Sequence, residues 1–156
     1  MLTQRRSGIG EDLSLPSASS RPVLLATMEV PFDDDAAAFA VDAAVECGQG
    51  LIVANVVEMP LGPACVMLGY GALDPSEEDA ARLRAPAELA HAFGVQVERL
   101  RVRSPHPIDA LLELVAEREP GLLVFGPDRS KLKARIFKRA AKKIRSRAAC
   151  LVWLAD

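Results

Sequence analysis

The apolar residues of the chain are concentrated in five short runs. Four of them, at residues 22–28, 51–57, 122–125 and 150–154, are nearly continuous, which is typical of strands buried on both faces. The run at residues 95–102 alternates imperfectly with polar residues. This pattern predicts a strand that is exposed on one side and lies at an edge of the sheet.

Helical patterns separate these runs. Three acids at residues 33–35 precede an alanine-rich segment, and carboxylates suit the positive end of a helix dipole. We expect this first helix to end near Cys47, at Gly48 or Gly50, because glycine commonly follows the last turn of a helix.

A second helix follows a loop rich in glycine and proline at residues 60–75. Ser76 and Asp79 have the spacing of a capping-box variant and predict where the helix begins. Pro86 falls inside it and removes one backbone hydrogen bond. Gly94 predicts where it ends.

Amphipathic spacing predicts a third helix at residues 108–117 and a fourth, strongly basic helix directly after residues 126–128. Strands and helices thus alternate in one domain, residues 21–156, which follows a flexible N-terminal tail at residues 1–20. Such alternation predicts an α/β fold with a five-stranded parallel sheet, order 3-2-1-4-5, and helices on both faces in an α-β-α sandwich. Ligands of such sheets bind beyond the carboxyl ends of the strands where the strand order reverses, here between the first and fourth strands.

The basic residues are distributed unevenly. Ten of the 19 lysines and arginines lie at residues 129–147 without any acid among them, and the rest of the chain carries nine basic against 21 acidic residues. The formal net charge of −2 is therefore the sum of one strongly basic segment, residues 129–147, and an acidic remainder of the chain.

Candidate chemistry is sparse. Cys47, Cys65 and Cys150 are widely spaced and lack a metal-ligand pattern, so we interpret each as a buried small apolar residue. His91 and His106 have no neighbouring groups that would form a triad or a metal site. Helix capping explains the three acids before the first helix better than metal binding does, because consecutive helical residues point to different faces. We therefore predict no enzyme and no metal site.

No targeting segment is predicted. Arg5 and Arg6 are followed by polar residues instead of the apolar run of a signal peptide. No stretch approaches the roughly 18 consecutive apolar residues of a membrane span. We expect a cytoplasmic protein without a membrane partner.

With its strands placed, the chain resembles the universal stress protein family from about residue 22 to residue 154. The first strand of the family, of the type Ile-Leu-Val-Ala-Val-Asp-Gly-Ser, matches residues 23–30. The second ends in a histidine-valine pair, which matches Asn55-Val56, and a proline-containing turn at residues 105–109 matches the start of the third helix.

The last part of the resemblance is the clearest. A hydrophobic strand that ends in Met-Gly matches Phe125-Gly126, and an Ala-Pro-Cys-Pro-Val-Leu-Val strand matches residues 148–154. In the family the last strand forms a dimer, so the resemblance implies a homodimer. Its pairing edge would be Cys150, Leu151, Val152, Trp153 and Leu154.

The resemblance also implies where a nucleotide would bind. Members that bind ATP carry Gly-x2-Gly-x9-Gly-Ser/Thr after the fourth strand, where glycines let backbone amides approach phosphate. Here Gly126 remains, but with one residue deleted from the loop Arg129 and Lys138-Arg139 replace the other glycine positions, and Met28 replaces the first-strand aspartate. We therefore expect a degenerate ATP site and no cofactor. The positions that any nucleotide or phosphate would contact are Thr27, Met28, Val56, Phe125, Gly126, Arg129, Ser130 and Arg139.

Gly126 has two interpretations. It is either a relic of the phosphate turn or a structural glycine that leaves a buried strand at a turn requiring positive φ. The loss of its partner glycines favours the structural interpretation.

The basic helix also has two interpretations. In the simpler one, the charged residues form a solvated outer face and an apolar stripe of the helix packs on the sheet. This stripe consists of Leu132, Ile136, Phe137, Ala140 and Ile144. Ten cations without a counter-charge exceed what solubility requires, because like charges four residues apart oppose a helix. An acidic protein partner or the acidic surface of a second subunit would neutralise a basic patch of Lys131, Lys133, Arg135, Lys138, Lys142 and Lys143. Nucleic acid is less favoured, because Tyr70 and Trp153 lie outside the basic helix.

The sequence thus predicts a stress-response module that acts by dimerisation and partner binding. Two alternatives stay open. One is a nucleotide or anion sensor that binds phosphate through Arg129, Ser130 and Arg139. The other is an adaptor whose basic helix binds an acidic partner or nucleic acid.

Overall fold

The computed structural model describes residues 21–59 and 77–155. The predicted tail, the loop at residues 60–75, Cys65 within it, and Ser76 of the predicted capping box lie outside the described residues. The strands are β1 (Val23–Met28), β2 (Leu51–Glu58), β3 (Val97–Ser104), β4 (Leu122–Phe125) and β5 (Leu151–Leu154). The helices are α1 (Asp34–Cys47), α2 (Glu77–Ala92), α3 (Pro107–Arg118) and α4 (Ala134–Arg147).

The strands form one parallel sheet of order β3-β2-β1-β4-β5. Val23 of the central strand β1 is in register with Leu51 of β2 on one side and with Leu122 of β4 on the other. The strand order therefore reverses between β1 and β4, and the predicted fold class, strand order and edge position of β3 are confirmed.

Successive side chains of β1 enter two different cores, because side chains alternate across a strand. Leu24 packs with Leu111 of α3 and Phe137 of α4, whereas Leu25 packs with Ala40 of α1 and Leu83 of α2. Helices α3 and α4 thus cover one face of the sheet, and α1 and α2 cover the other. None of the helices in the described part of the chain combines the length and hydrophobicity needed to cross a bilayer.

The predicted cap of α1 is confirmed. The Asp33 carboxylate accepts a hydrogen bond from the Ala36 amide at 2.9 Å, and Gly48 ends the helix in the left-handed conformation at φ 64°. Within residues 21–59 and 77–155, no group of three or more histidine, cysteine, aspartate or glutamate side chains could hold a metal ion.

The basic helix begins later than predicted. Asp128 first forms a turn, because its carboxylate accepts hydrogen bonds from the Ser130 amide at 3.0 Å and from the Ser130 hydroxyl at 2.6 Å. The amides of Lys131 and Leu132 then donate to the Asp128 carbonyl. Helix α4 follows only at Ala134, so the basic residues at positions 129–133 precede it.

The prediction that each cysteine is buried is wrong for Cys47. Its side chain is exposed in the last turn of α1, where Val45 and Glu46 are exposed as well. Cys150, directly before β5, is half-buried, and both thiols are free.

Candidate functional site

A crevice of about 360 Å³ opens at the carboxyl ends of β1, β2 and β3, on the face covered by α3 and α4. Parallel strands place ligand sites at such ends. Its apolar lining comes from Met28, Pro105, Pro107, Ile108, Leu132, Ile136 and Ala140. Its polar lining comes from Glu29, Glu58, His106, Asp109, Arg139 and Lys143.

Glu29 joins the ends of β1 and β2 beneath this crevice. Its backbone has φ 60°, a conformation that few residues other than glycine adopt. The Glu29 amide donates to the Asn55 side-chain oxygen at 3.1 Å, and its carboxylate accepts a hydrogen bond from the Glu58 amide at 2.8 Å. The Glu29 carboxylate is therefore already engaged with the protein backbone.

Asp109 supplies a counter-charge to the basic helix. Its carboxylate lies 2.6 Å from the Lys143 ammonium and 3.6 Å from the Arg147 guanidinium. The hydrogen bond from Lys143, together with the charges of Lys143 and Arg147, lowers the pKa of Asp109 below its ordinary value. Lys131 also lies 3.9 Å from Asp128.

The expectation of ten cations without a counter-charge is therefore wrong for three of them. For Lys143 and Arg147 the physical reason is that α3 packs beside α4, so an acid distant in sequence reaches the basic helix. Lys131 instead pairs with Asp128, three residues before it in the turn that precedes α4.

The two loop residues of the predicted phosphate site are engaged elsewhere. The Arg129 guanidinium donates to the Ala155 carbonyl at 3.0 Å and lies over the Phe137 ring, 3.6 Å from its centre. The Ser130 hydroxyl donates to Asp128, and the hydrogen bonds from Ser130 lower the pKa of Asp128. Neither residue lines the crevice.

Gly126 is buried, and its conformation differs from the one predicted. Its φ is not positive, unlike that of Gly48 and Gly94, so the predicted reason for a glycine here is wrong. A Cβ atom at this position would overlap the Cβ of Ala36 in α1. The Gly126 carbonyl accepts a hydrogen bond from the Asp33 amide at 2.9 Å. The glycine is needed because the start of α1 packs directly on the end of β4.

The remaining predicted positions divide between core and crevice. Thr27 is buried, with its hydroxyl donating to the Val30 carbonyl at 2.8 Å. Val56 and Phe125 are buried in the α3–α4 core. Met28 and Arg139 line the crevice. The structure thus brings only these two of the eight predicted nucleotide or phosphate positions to the crevice.

The outer face of α4 and the turn before it carry the predicted basic patch. Phe137, Ala140 and Ile144 are buried against the sheet, as predicted, and Leu132 is partly buried against the same core. Ile136 does not belong to the packed stripe, since it is 38% exposed and lines the crevice. Lys143 is half-buried beside Asp109, whereas the other members of the patch are exposed, namely Lys131, Lys133, Arg135, Lys138 and Lys142.

Strand β5 forms the edge of the sheet next to β4. Leu151 is 75% exposed, Val152 and Trp153 are half-buried, and Leu154 is buried. The Trp153 ring stacks on Phe39 of α1 with 4.9 Å between ring centres. Burial raises the pKa of the neighbouring Cys150 thiol. Among the strands that the structure describes, the predicted dimer edge is thus an apolar strand that pairs on one side only, with β4.

Sequence reasoning missed four crevice residues: Glu29, Glu58, His106 and Asp109. A signal for the first three exists, because Glu29, Glu58 and His106 lie at or just beyond the carboxyl ends of predicted strands, where ligands of parallel sheets bind. Asp109 lies in the first turn of α3, the helix that follows β3.

A second cavity, of about 560 Å³, lies on the opposite face between α1 and α2. Phe32, Asp34, Arg82 and Leu89 are among its lining residues, and none of the predicted site positions reaches it.

Comparisons with known proteins agree with this fold. The model of the Universal stress protein family matches residues 19–155. No curated protein matches the chain. A solved structure from Burkholderia pseudomallei, a protein of the universal stress protein family, shares 19% identity over 87% of this chain and 96% of that one, with a TM-score of 0.64.

Two further solved structures contain nucleotides. A universal stress protein in complex with cAMP shares 23% identity over 87% of this chain and 96% of that one, with a TM-score of 0.58. The universal stress protein from Archaeoglobus fulgidus in complex with dAMP shares 18% identity over 87% and 98%, with a TM-score of 0.57.

Proposed function

This chain belongs to the universal stress protein family, and from that premise we propose that it is a stress-response module with a degenerate ATP site. It acts by dimerisation and partner binding, and it catalyses no reaction. We place it in the cytoplasm, without a membrane partner.

The contacts of Arg129 carry the proposal for the ATP site. Phosphate loops work because glycines leave room for phosphate beside backbone amides. Here the Arg129 side chain packs on Phe137 and binds the Ala155 carbonyl. The Arg129 guanidinium is therefore already bound within the protein, and the Ser130 hydroxyl already donates a hydrogen bond to the Asp128 carboxylate. Neither side chain is therefore available to bind phosphate in place of the backbone amides that the missing glycines would expose.

Titration with ATP, AMP and inorganic phosphate tests this part of the proposal. A ligand that binds the folded state raises the melting temperature according to its concentration and affinity. We expect no shift at about 1 mM of each ligand, and stabilisation by ATP would overturn the degenerate-site assignment.

The open edge of β5 supports the proposal of a homodimer. Leu151 is 75% exposed beside the half-buried Val152 and Trp153, and an apolar edge strand is a template for pairing with another chain. Antiparallel pairing of two β5 strands would give a closed twofold dimer. Sedimentation equilibrium at micromolar protein tests it, and a monomer there would contradict the proposal.

A second candidate is a sensor for a small anion, favoured by Arg139. This side chain lines the crevice and forms no ion pair with any residue that the structure describes. Two relatives of this fold are solved with cAMP and dAMP, which supports a nucleotide or phosphate as the ligand. Stabilisation by a phosphate compound that is lost in Arg139→Ala but kept in Arg145→Ala would establish it, because Arg145 is a matched exposed arginine outside the crevice.

A further inference from the structure

Helices α1 and α4 carry opposite charge on opposite faces of the sheet. Helix α1 and its cap residue Asp33 contain five acids and no base, whereas α4 contains seven bases and no acid. The two helices belong to the separate cores on either side of the sheet. The domain is therefore electrically polarised from one face to the other.

Most of these charges are available to a partner. In α4, Lys143 and Arg147 pair with Asp109. The other α4 bases are exposed and form no ion pair with the residues described: Arg135, Lys138, Arg139, Lys142 and Arg145. The α1 acids are likewise exposed and without an ion pair in the described ranges: Asp34, Asp35, Asp42 and Glu46.

The two charged faces also match in spacing. Both helices have 14 residues, which corresponds to about 21 Å. Asp42 and Glu46 are four residues apart on α1, so they lie on one face about 6 Å apart along the axis. Lys138 and Lys142 have the same separation on α4.

We propose that the α4 face of one copy binds the α1 face of another copy, head to tail. A second copy is the occupant because it carries the complementary charge at the matching spacing. The 2.6 Å contact between Lys143 and Asp109 shows that α4 accepts a carboxylate borne by a neighbouring helix. Each contact is heterologous and leaves one basic and one acidic face free, so the association continues beyond two copies.

This contact is separate from the proposed β5 dimer. It uses the two faces of the sheet, whereas β5 pairing uses its edge, and it depends on charge rather than on apolar burial. Sedimentation velocity at about 10 mM and about 1 M salt distinguishes them, because the Debye length falls from roughly 30 Å to roughly 3 Å. We expect the weight-average mass to at least double with protein concentration at low salt and to return to that of the monomer or β5 dimer at high salt.

Charge reversal tests which faces meet. We expect two double variants not to assemble at low salt: Lys138→Glu/Lys142→Glu and Asp42→Lys/Glu46→Lys. The weight-average mass of each variant at low salt should equal the mass of the parent chain at high salt. An equimolar mixture of the two variants should regain the larger mass, because the reversed faces are complementary to each other. The control is Glu113→Lys/Glu117→Lys on α3, with exposed acids at the same spacing, which should assemble like the parent chain.

Three results would overturn the proposal. One is a mass that is the same at both salt concentrations. Another is a mixture of the two variants that does not assemble. The third is a parent chain that does not self-associate but binds a DNA duplex through Lys138 and Lys142, which would assign the basic face to a different polyanion. A β5 dimer that persists in any of these cases leaves the proposed function intact.

Discussion

The Arg129 guanidinium lies over the Phe137 ring, 3.6 Å from the ring centre. The same guanidinium donates to the Ala155 carbonyl at 3.0 Å. One side chain thus connects the turn after β4, the first turn of α4 and the end of β5. A basic residue that aligns with a phosphate-loop glycine has become part of the fold.

Replacing Arg129 with alanine should lower stability. The variant loses a partly buried hydrogen bond, which typically contributes about 0.5–1.5 kcal/mol, and a cation–π contact of about 0.5–1 kcal/mol. We expect a loss of about 1–2.5 kcal/mol in the free energy of unfolding, measured by urea denaturation.

Arg135→Ala is the matched control, because Arg135 is exposed and forms no ion pair with the described residues. It should change stability by no more than about 0.5 kcal/mol. Equal effects of the two substitutions would show that Arg129 has no structural role.

The sequence could not reveal this role of Arg129. Its partner Ala155 is 26 residues away, and within residues 129–147 Arg129 is one of ten similar cations. The sheet was predictable because each buried strand is a local apolar run, as in Leu24 and Leu25. Asp109 pairs with Lys143 across 34 positions of the chain, and no local pattern marks such a pair.

Gly126→Ala should move α1 away from the sheet. The new Cβ would overlap the Cβ of Ala36, and overpacking of a buried site typically costs about 1–3 kcal/mol. We expect a loss of this size in the free energy of unfolding, without a change of fold by circular dichroism.

A double-mutant cycle separates this overlap from a general effect of the substitution. Ala36→Gly removes the opposing Cβ, so the double variant should be more stable than the sum of the two single losses predicts. Strict additivity would mean that the contact with Ala36 is not the cause.

Asp109 should contribute to stability in a pH-dependent way. Its pKa is lowered in the folded state by Lys143 and Arg147, so the contribution is fully present above the unfolded pKa of about 3.9 and is lost as the pH falls through the folded pKa. Asp109→Asn should therefore flatten the acid side of the stability curve, measured by thermal unfolding between about pH 2 and pH 6.

Two comparisons check that assignment. Lys143→Ala should produce the same flattening, because the hydrogen bond from Lys143 is the largest cause of the lowered pKa. Asp128→Asn should also weaken the acid dependence, but independently, since the cause there is Ser130. An acid dependence in Asp109→Asn equal to that of the parent chain would contradict the role of the ion pair.

Leu151→Lys should separate the proposed β5 dimer. Leu151 is 75% exposed on the open edge, and a lysine there opposes edge pairing because its charge would have to be desolvated between two strands. Little stability of the monomer should be lost, since the leucine is exposed already. We expect dimerisation at least about tenfold weaker, equivalent to about 1.4 kcal/mol, by sedimentation equilibrium at high salt, where contacts between charged faces are screened.

Phe93→Lys is the control, because Phe93 is 61% exposed but lies after α2, away from β5 in the sheet order. It should leave the dimer unchanged, whereas a dimer lost in Phe93→Lys and kept in Leu151→Lys would place the interface elsewhere.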